Sequence, residues 1–384
     1  MASSTRLRTT SAWLATALVA ALVPLLGPAA PAFAADCTSE VAPTMDPLPI
    51  PTGPGCDDTA PPETTIESVT PQPNAQDWIR EDSVTFTFSG AHTDADTDPI
   101  AYECQFFTGT APADWTACTS PATYDDLEET TTAPHTFRVR AVDTADDGID
   151  LTADPFFPQD TDEPDVDQTP AERTTKVDTV APAAFIFEGP YDKDGTGWPI
   201  TKQPKASFLL DASEDDVTYR CLLDGQQVAC DEGSLVLKAL SGGNRTLEVS
   251  VTDRAGNSDE SPETKQFVVP HNLTQGKNWS RKKGKGYFAR DFLQTKRFGA
   301  ALKIRARLAT DIVLIAPSGP TLGKIQVRVG SHRWKTLNLG SKKASKQRHY
   351  VVRDEKSLFS GPVRIRSISR GKPVRVDALV FPPG

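Results

Sequence analysis

The chain has 384 residues, 38% of them hydrophobic, with 32 prolines and a formal net charge of −10. That composition excludes a large helical core and favours short strands joined by many turns. The net charge conceals a split: residues 1–270 carry 15 Lys+Arg against 46 Asp+Glu, and residues 271–384 carry 26 against 5. Asymmetry of this size implies different partners for the two parts, or contact between them.

The first element is an export signal over residues 1–34. Arg6 and Arg8 make a basic start, an apolar run extends from Ala12 to Leu26, and Ala32-Phe33-Ala34 supplies a small-x-small cleavage site. The run is too short and wrongly flanked to span a membrane. Asp36 stands where a lipidated Cys37 would need a small residue. A secreted, extracellular chain is expected, cell-wall-associated at most, with about 350 mature residues in two or three domains.

Six cysteines fall into sequential pairs, Cys37/Cys56, Cys104/Cys118 and Cys221/Cys230. An even count in an exported chain reads as a disulfide framework. No pair has CxxC spacing and only five histidines are present, so a redox or zinc role is the weaker alternative. Cys37 and Cys56 would close a small N-terminal loop within a 35–57 linker.

Residues 58–179 and 180–270 read as two copies of one β domain. In the first copy Val84, Phe86 and Phe88 share a face, as do Phe137, Val139 and Ala141 in "HTFRVRAVD" (135–143). In the second, Ala206, Phe208 and Leu210 match the earlier strand, and Leu247, Val249 and Val251 in "RTLEVSVTD" (245–253) match the later one. Period-2 patterns with turn residues between them indicate β-sandwiches. A repeat of about a hundred residues is too long for a solenoid unit.

Each copy also holds Tyr-x-Cys … Cys, in "YECQFFTGTAPADWTAC" from Tyr102 and "YRCLLDGQQVAC" from Tyr219. The second reads as a stapled hairpin. A four-residue loop Asp224–Gln227 would set Cys221 directly opposite Cys230, whereas a tight two-residue turn would leave them diagonal; the longer loop is expected. The first copy alone carries an acidic insertion (144–166), expected as a loop outside the sandwich. In the second copy the turn at 253–257 is explained by Gly256 and Asn257 tolerating left-handed backbone angles.

The motifs "DDTAPPETTI" (57–66), Cys118-Thr-Ser-Pro, "HTFRVRAVD" and "DQTPAERTTKVDTVAP" (167–182) resemble the tandem bacterial Ig-like domains of secreted actinobacterial proteins. The second copy keeps "YRCLLDG", "VTDRAGNSD" and "ESPETKQFVV". The resemblance covers roughly residues 57–270. It implies seven-strand-type sandwiches used as spacers or interaction modules rather than an enzyme.

From about Gln275 the composition inverts, beginning "GKNWSRKKGKGYFARDF". In "LKIRARL", Leu302, Ile304, Ala306 and Leu308 form one face, and Lys303, Arg305 and Arg307 the other. "GKIQVRVG" buries Ile325, Val327 and Val329 and exposes Lys324 and Arg328; Arg364, Arg366 and Arg375 follow the same rule. One-sided burial suits an antiparallel sheet, half of a jelly-roll-like sandwich over 271–384. The course "RFGAALKIR … GKIQVRV … RHYVV … VRVDALVF" resembles the carbohydrate-binding-like jelly-roll modules of exported actinobacterial proteins.

No histidine lies in a GxSxG or HExxH context, so a non-enzymatic protein is expected. Asp94, Asp96 and Asp98 offer oxygens that can take calcium, but they lack the glycine and the bidentate Glu of an EF-hand loop; no cofactor is expected. Charge of +21 on residues 271–384 exceeds what solubility needs and attracts polyanions. The candidate ligand-binding residues are Lys303, Arg305, Arg307, Lys324, Arg328, Arg364 and Arg366, with Trp279, Tyr287 and Trp334 as stacking surfaces joined by Phe288 and Tyr350. An anionic cell-wall polymer or acidic glycan is the expected partner, ahead of nucleic acid. The alternatives are a spacer whose acidic Ig-like pair docks on the basic domain, and an accessory module acting with a separate carbohydrate-active enzyme.

Overall fold

The computed structural model describes residues 61–93, 99–143, 166–191 and 197–382. The export signal, the Cys37/Cys56 pair, Asp94, Asp96, Asp98 and nearly all of the acidic insertion lie outside the described residues. The described chain is nearly all β, in several sheets.

The first sandwich contains β1 (Glu63–Thr70), β2 (Trp78–Ile79), β3 (Val84–Ala91), β4 (Ile100–Thr108), β5 (Thr116–Cys118), β6 (Ala122–Tyr124), β7 (His135–Asp143) and β8 (Ala171–Val177). One sheet has the order β1-β3-β6 and the other β2-β8-β7-β4-β5. The alternating faces of β3 and β7 meet as expected: Phe86 and Phe137 are fully buried, their rings stacked with centroids 4.2 Å apart. Within residues 62–64, 90–102 and 140–170, the buried Asp167 carboxylate accepts the backbone N–H groups of Thr64 (3.0 Å) and Thr169 (2.7 Å). Such bonds satisfy a carboxylate that burial would otherwise make costly.

The second sandwich contains β9 (Ala184–Glu188), β10 (Lys205–Ala212), β11 (Thr218–Leu223), β12 (Gln226–Val228), β13 (Gly233–Lys238), β14 (Gly243–Thr252) and β15 (Glu263–Val269). Its sheets are β13-β10-β9 and β12-β11-β14-β15. In both sandwiches a short strand (β5, β12) pairs with the strand before it, at the edge of the larger sheet; the sheets divide three against five in the first sandwich, where β2 adds an edge strand, and three against four in the second.

Both expected staples within the described residues are present, Cys104–Cys118 with Cα atoms 5.8 Å apart and Cys221–Cys230 at 6.1 Å. The hairpin at the second is not the one expected. Cys221 faces Val228, and Leu223 faces Gln226, leaving Asp224-Gly225 as a two-residue turn with φ of +52° and +78°. Asp-Gly suits that primed turn because both central residues must take positive φ. Cys230 therefore lies diagonally, and it reaches Cys221 because β12 ends at Val228 and the chain has left the ladder. The 253–257 turn also differs. Gly256 has φ +97°, whereas Asn257 works through its side chain, donating to Asp178 O (2.7 Å) and Asp253 Oδ2 (2.9 Å).

Residues 271–382 form β16 (His271–Asn272), β17 (Ser280–Lys283), β18 (Asp291–Thr295), β19 (Ala301–Ser318), β20 (Lys324–Val329), β21 (Lys335–Asn338), β22 (Ser345–Ser367), β23 (Val374–Val376) and β24 (Ala378–Val380). A six-stranded sheet, β16-β24-β19-β22-β20-β21, accompanies a three-stranded one, β17-β18-β23. The long hairpin β19/β22 changes neighbours along its length. β24 pairs with β19 only at Val313–Ile315, and β20 pairs with β22 only at Val363–Ser367. Bulges between Ala306 and Asp311 separate the two regions, where Leu308 has φ +47°; bulges bend a strand and redirect its side chains.

The run Ile312–Ala316 is apolar at every position because both faces are covered. Ile312, Leu314 and Ala316 join the core of residues 273–381. Val313 and Ile315, with Phe288, Ala378 and Val380, join the core of the second sandwich beside Phe208, Leu247 and Phe267. A continuous apolar strand is the expected signature of burial on both sides.

Candidate ligand-binding face

The basic face follows from strand register. Lys303 on β19 pairs with Arg364 on β22, which pairs with Arg328 on β20. The neighbours of opposite parity, Leu302, Ile365 and Val327, are buried, so the three cations share the other side of the sheet. One pleat along, Arg366 pairs with Gln326, which pairs with Thr336. Arg366 donates through Nε (2.9 Å) and Nη2 (2.6 Å) to Gln326 Oε1, and Gln326 Nε2 donates to Thr336 Oγ1 (3.1 Å).

Trp334 packs against two of these arginines. Its ring centroid is 4.1 Å from the Arg366 guanidinium carbon and 4.8 Å from that of Arg328. Both distances fall inside the range in which a guanidinium is attracted to an aromatic face. Among the described residues, none of Lys303, Arg328, Arg364 and Arg366 is ion-paired with a carboxylate, and Arg328 Nε has no hydrogen-bond partner. Like charges directly opposite across strands destabilise a sheet. Here three stand in one row, and among the described residues no carboxylate pairs with them.

The remaining candidates divide. Arg305, opposite Pro362, and Lys324, opposite Asn338, are exposed further out on the same parity. Arg307 is exposed at the bulge, outside the paired ladder. Trp279 and Tyr287 require correction as stacking surfaces. Trp279 is 3% exposed within the core, and Tyr287 is 8% exposed with its ring 4.3 Å from that of Phe292. The turn Gly276–Trp279, closed by Trp279 N–H to Gly276 O (3.2 Å), folds the indole inward while β17 leaves Arg281, Lys282 and Lys283 exposed. Phe288 is likewise buried, and Tyr350 is half-buried against the same core as Trp279. Gln326 and Thr336, which fix Arg366, went unread; the register of β20 against β21 was the only signal for them.

Histidine geometry offers little chemistry. Both His135 ring nitrogens are engaged, with Thr108 Oγ1 (3.0 Å) and Glu128 O (2.8 Å). His92 Nδ1 lies 3.4 Å from Asp143 Oδ2, and His332 Nδ1 lies 3.8 Å from Glu355 Oε1. His271 packs against Phe381, and burial with the nearby Arg245 lowers its pKa.

For metal, Asp178, Glu214 and Asp253 bring carboxylate oxygens within 4.8 Å of one another. Burial and the neighbouring carboxylates raise the pKa of Asp178 and of Glu214. Oxygen donors in this number suit a hard divalent cation. However, Asp253 already accepts from Gly256 N (2.7 Å), Asn257 N (2.9 Å) and Asn257 Nδ2.

No family model matches the chain, and no curated protein matches it. Among solved structures, fibronectin(III)-like modules of Clostridium thermocellum CbhA align at 14% identity over 54% of this chain and 94% of that chain, with a TM-score of 0.26. Carbohydrate-binding modules of the β-sandwich superfamily align at 16% identity over 53% and 100%, with a TM-score of 0.26. Bacteroides ovatus SGBP-B, in complex with a mixed-linkage heptasaccharide, aligns at 12% identity over 83% and 100%, with a TM-score of 0.18. TM-scores of this size carry no residue-level correspondence.

Proposed function

We propose that this protein is a secreted, non-enzymatic binding protein in which tandem Ig-like modules of the bacterial kind support a basic β module that holds an anionic polymer or acidic glycan. The observation that carries the reading is the uncompensated Lys303–Arg364–Arg328 row with Trp334 clasped beside it by Arg328 and Arg366. Cations so arranged attract a polyanion through a summed field, and a flat indole favours a sugar ring over a bare phosphate chain. Two disulfides suit an oxidising compartment, where wall polymers and acidic glycans are the accessible polyanions.

The apolar character of the contact between the second sandwich and residues 271–382 weighs against charge-driven docking. Phe288, Val313, Ile315, Ala378 and Val380 form its apolar centre, neutral side-chain amides and an indole N–H donate across its edge, and the basic row takes no part in that cluster. The full chain should be retained at low salt on immobilised dextran sulfate and not on neutral dextran. Passage through both columns alike sinks the reading.

A further inference from the structure

A cleft of about 430 Å³ opens between residues 189–191 and 198–207 on one side and the start of β22 on the other. That volume falls in the range of roughly 300–1,000 Å³ typical of small-molecule sites. Its residues belong to neither the basic row nor the carboxylate group. We propose that this cleft is a second binding site, for a sugar unit carrying a carboxylate.

Tyr191 and Trp198 supply the apolar wall. Tyr191 is 64% exposed, while Trp198 is held in place by its indole N–H, which donates to Asp311 Oδ2 (3.3 Å). Planar side chains at a cleft mouth accept the apolar face of a pyranose, and the tethered indole needs little further ordering to do so. Gln203 and Gln347 approach from the two sides. Gln203 Nε2 donates to Tyr287 O (2.9 Å) and Gln347 Nε2 to Lys202 O (3.0 Å), which leaves each side-chain oxygen as an acceptor for a sugar hydroxyl. The Thr201 hydroxyl also lines the cleft; it is buried and has no hydrogen-bond partner among the described residues.

Charge decides the ligand class. Lys202 and Lys205 both line the cleft, and among the described lining residues no Asp or Glu does. A neutral sugar would leave two ammonium groups unused, whereas a uronic acid offers them a carboxylate. The two sides of the cleft are linked because His349 on β22 pairs with Ile315 on β19, and Ile315 joins the core against which Trp198 and Ile200 pack; a pre-shaped site loses less entropy on binding.

The test is calorimetric titration of the full chain with a galacturonic acid trimer and with the matching galactose trimer. The acidic trimer should bind at least about tenfold more tightly. Tyr191→Ala should weaken it by about tenfold, and Lys202→Ala with Lys205→Ala should erase the preference for the acid. In a protein already carrying Arg328→Ser, Arg364→Ser and Arg366→Ser, which removes the basic face as a competing site for the acidic trimer, the preference for the acid and its loss in the two lysine changes should persist, because that face shares no residue with the cleft. Equal binding of both trimers, no binding of either, or loss only in the triple arginine variant overturns the proposal. Loss of dextran sulfate retention with trimer binding intact counts against the basic-face reading alone.

Discussion

Trp334 separates charge from shape on the basic face, because its removal leaves every cation in place. Trp334→Ala should retain salt-sensitive binding to dextran sulfate but lose preference for it over a polyphosphate of equal charge density, as a competition assay would read. Asp377 offers a second test at this scale. It is fully buried, Oδ2 accepts the Phe288 N–H (2.9 Å), and Oδ1 has no partner among the described residues. Burial, aided by Asp291, pushes its pKa from 3.8 up to about 7 against the opposing effect of the Phe288 bond. A carboxyl raised in the folded state costs stability as pH rises from about 4 to about 7, and the cost is constant above that. Asp377→Asn should therefore stabilise the protein at pH 8 by on the order of 2–4 kcal/mol and change little below pH 4. Denaturant melts at the two pH values check this; an equal effect at both would contradict it.

Among elements, alternation was legible and turns were less so. The strands around Phe86, Phe208 and Leu247 stand with the faces their period-2 patterns imply; around Leu302 the pattern holds through Ala306 and fails at Leu308, which the bulge turns outward to 67% exposure. The Cys221–Cys230 staple was legible from spacing, yet the turn inside it was not, because a diagonal closure requires the strand to end at Val228, which depends on neighbours. Cys221→Ser with Cys230→Ser should cost about 2–3 kcal/mol for so short a loop, measured as a lower denaturation midpoint with the fold retained. An unchanged midpoint would mean that the Asp224-Gly225 turn, held by Asp224 Oδ1 accepting Thr246 N–H (2.9 Å), sets the hairpin without help. Trp279 shows the limit of composition. Surrounded by Lys and Arg in sequence, it is buried by a turn that reverses the chain, and single-residue context carries no sign of that.

For the whole molecule, the charge split invited a docking reading, while the core that joins the second sandwich to residues 271–382 is apolar. Its signal was the unbroken run "IVLIA" (312–316), whose second buried face needs a cover that residues 271–384 alone lack. A chain beginning at residue 271 would expose Val313, Ile315 and Val380, so it should self-associate in light scattering while the full chain does not. Raising salt should leave the radius of gyration of the full chain unchanged, since apolar contacts are not screened; expansion at high salt would restore charge-driven docking. The basic row was legible as residues, but its assembly across β19, β22 and β20 required register that no local pattern supplies. Its role is tested most directly by the affinity of the full chain for dextran sulfate as a function of salt, with and without Arg328→Ser, Arg364→Ser and Arg366→Ser. The account predicts that the wild-type affinity falls steeply with salt. It also predicts that the variant, folded and at least as stable, binds at least about tenfold more weakly at low salt with a shallower dependence. Equal affinity and equal salt dependence in the two proteins would contradict it.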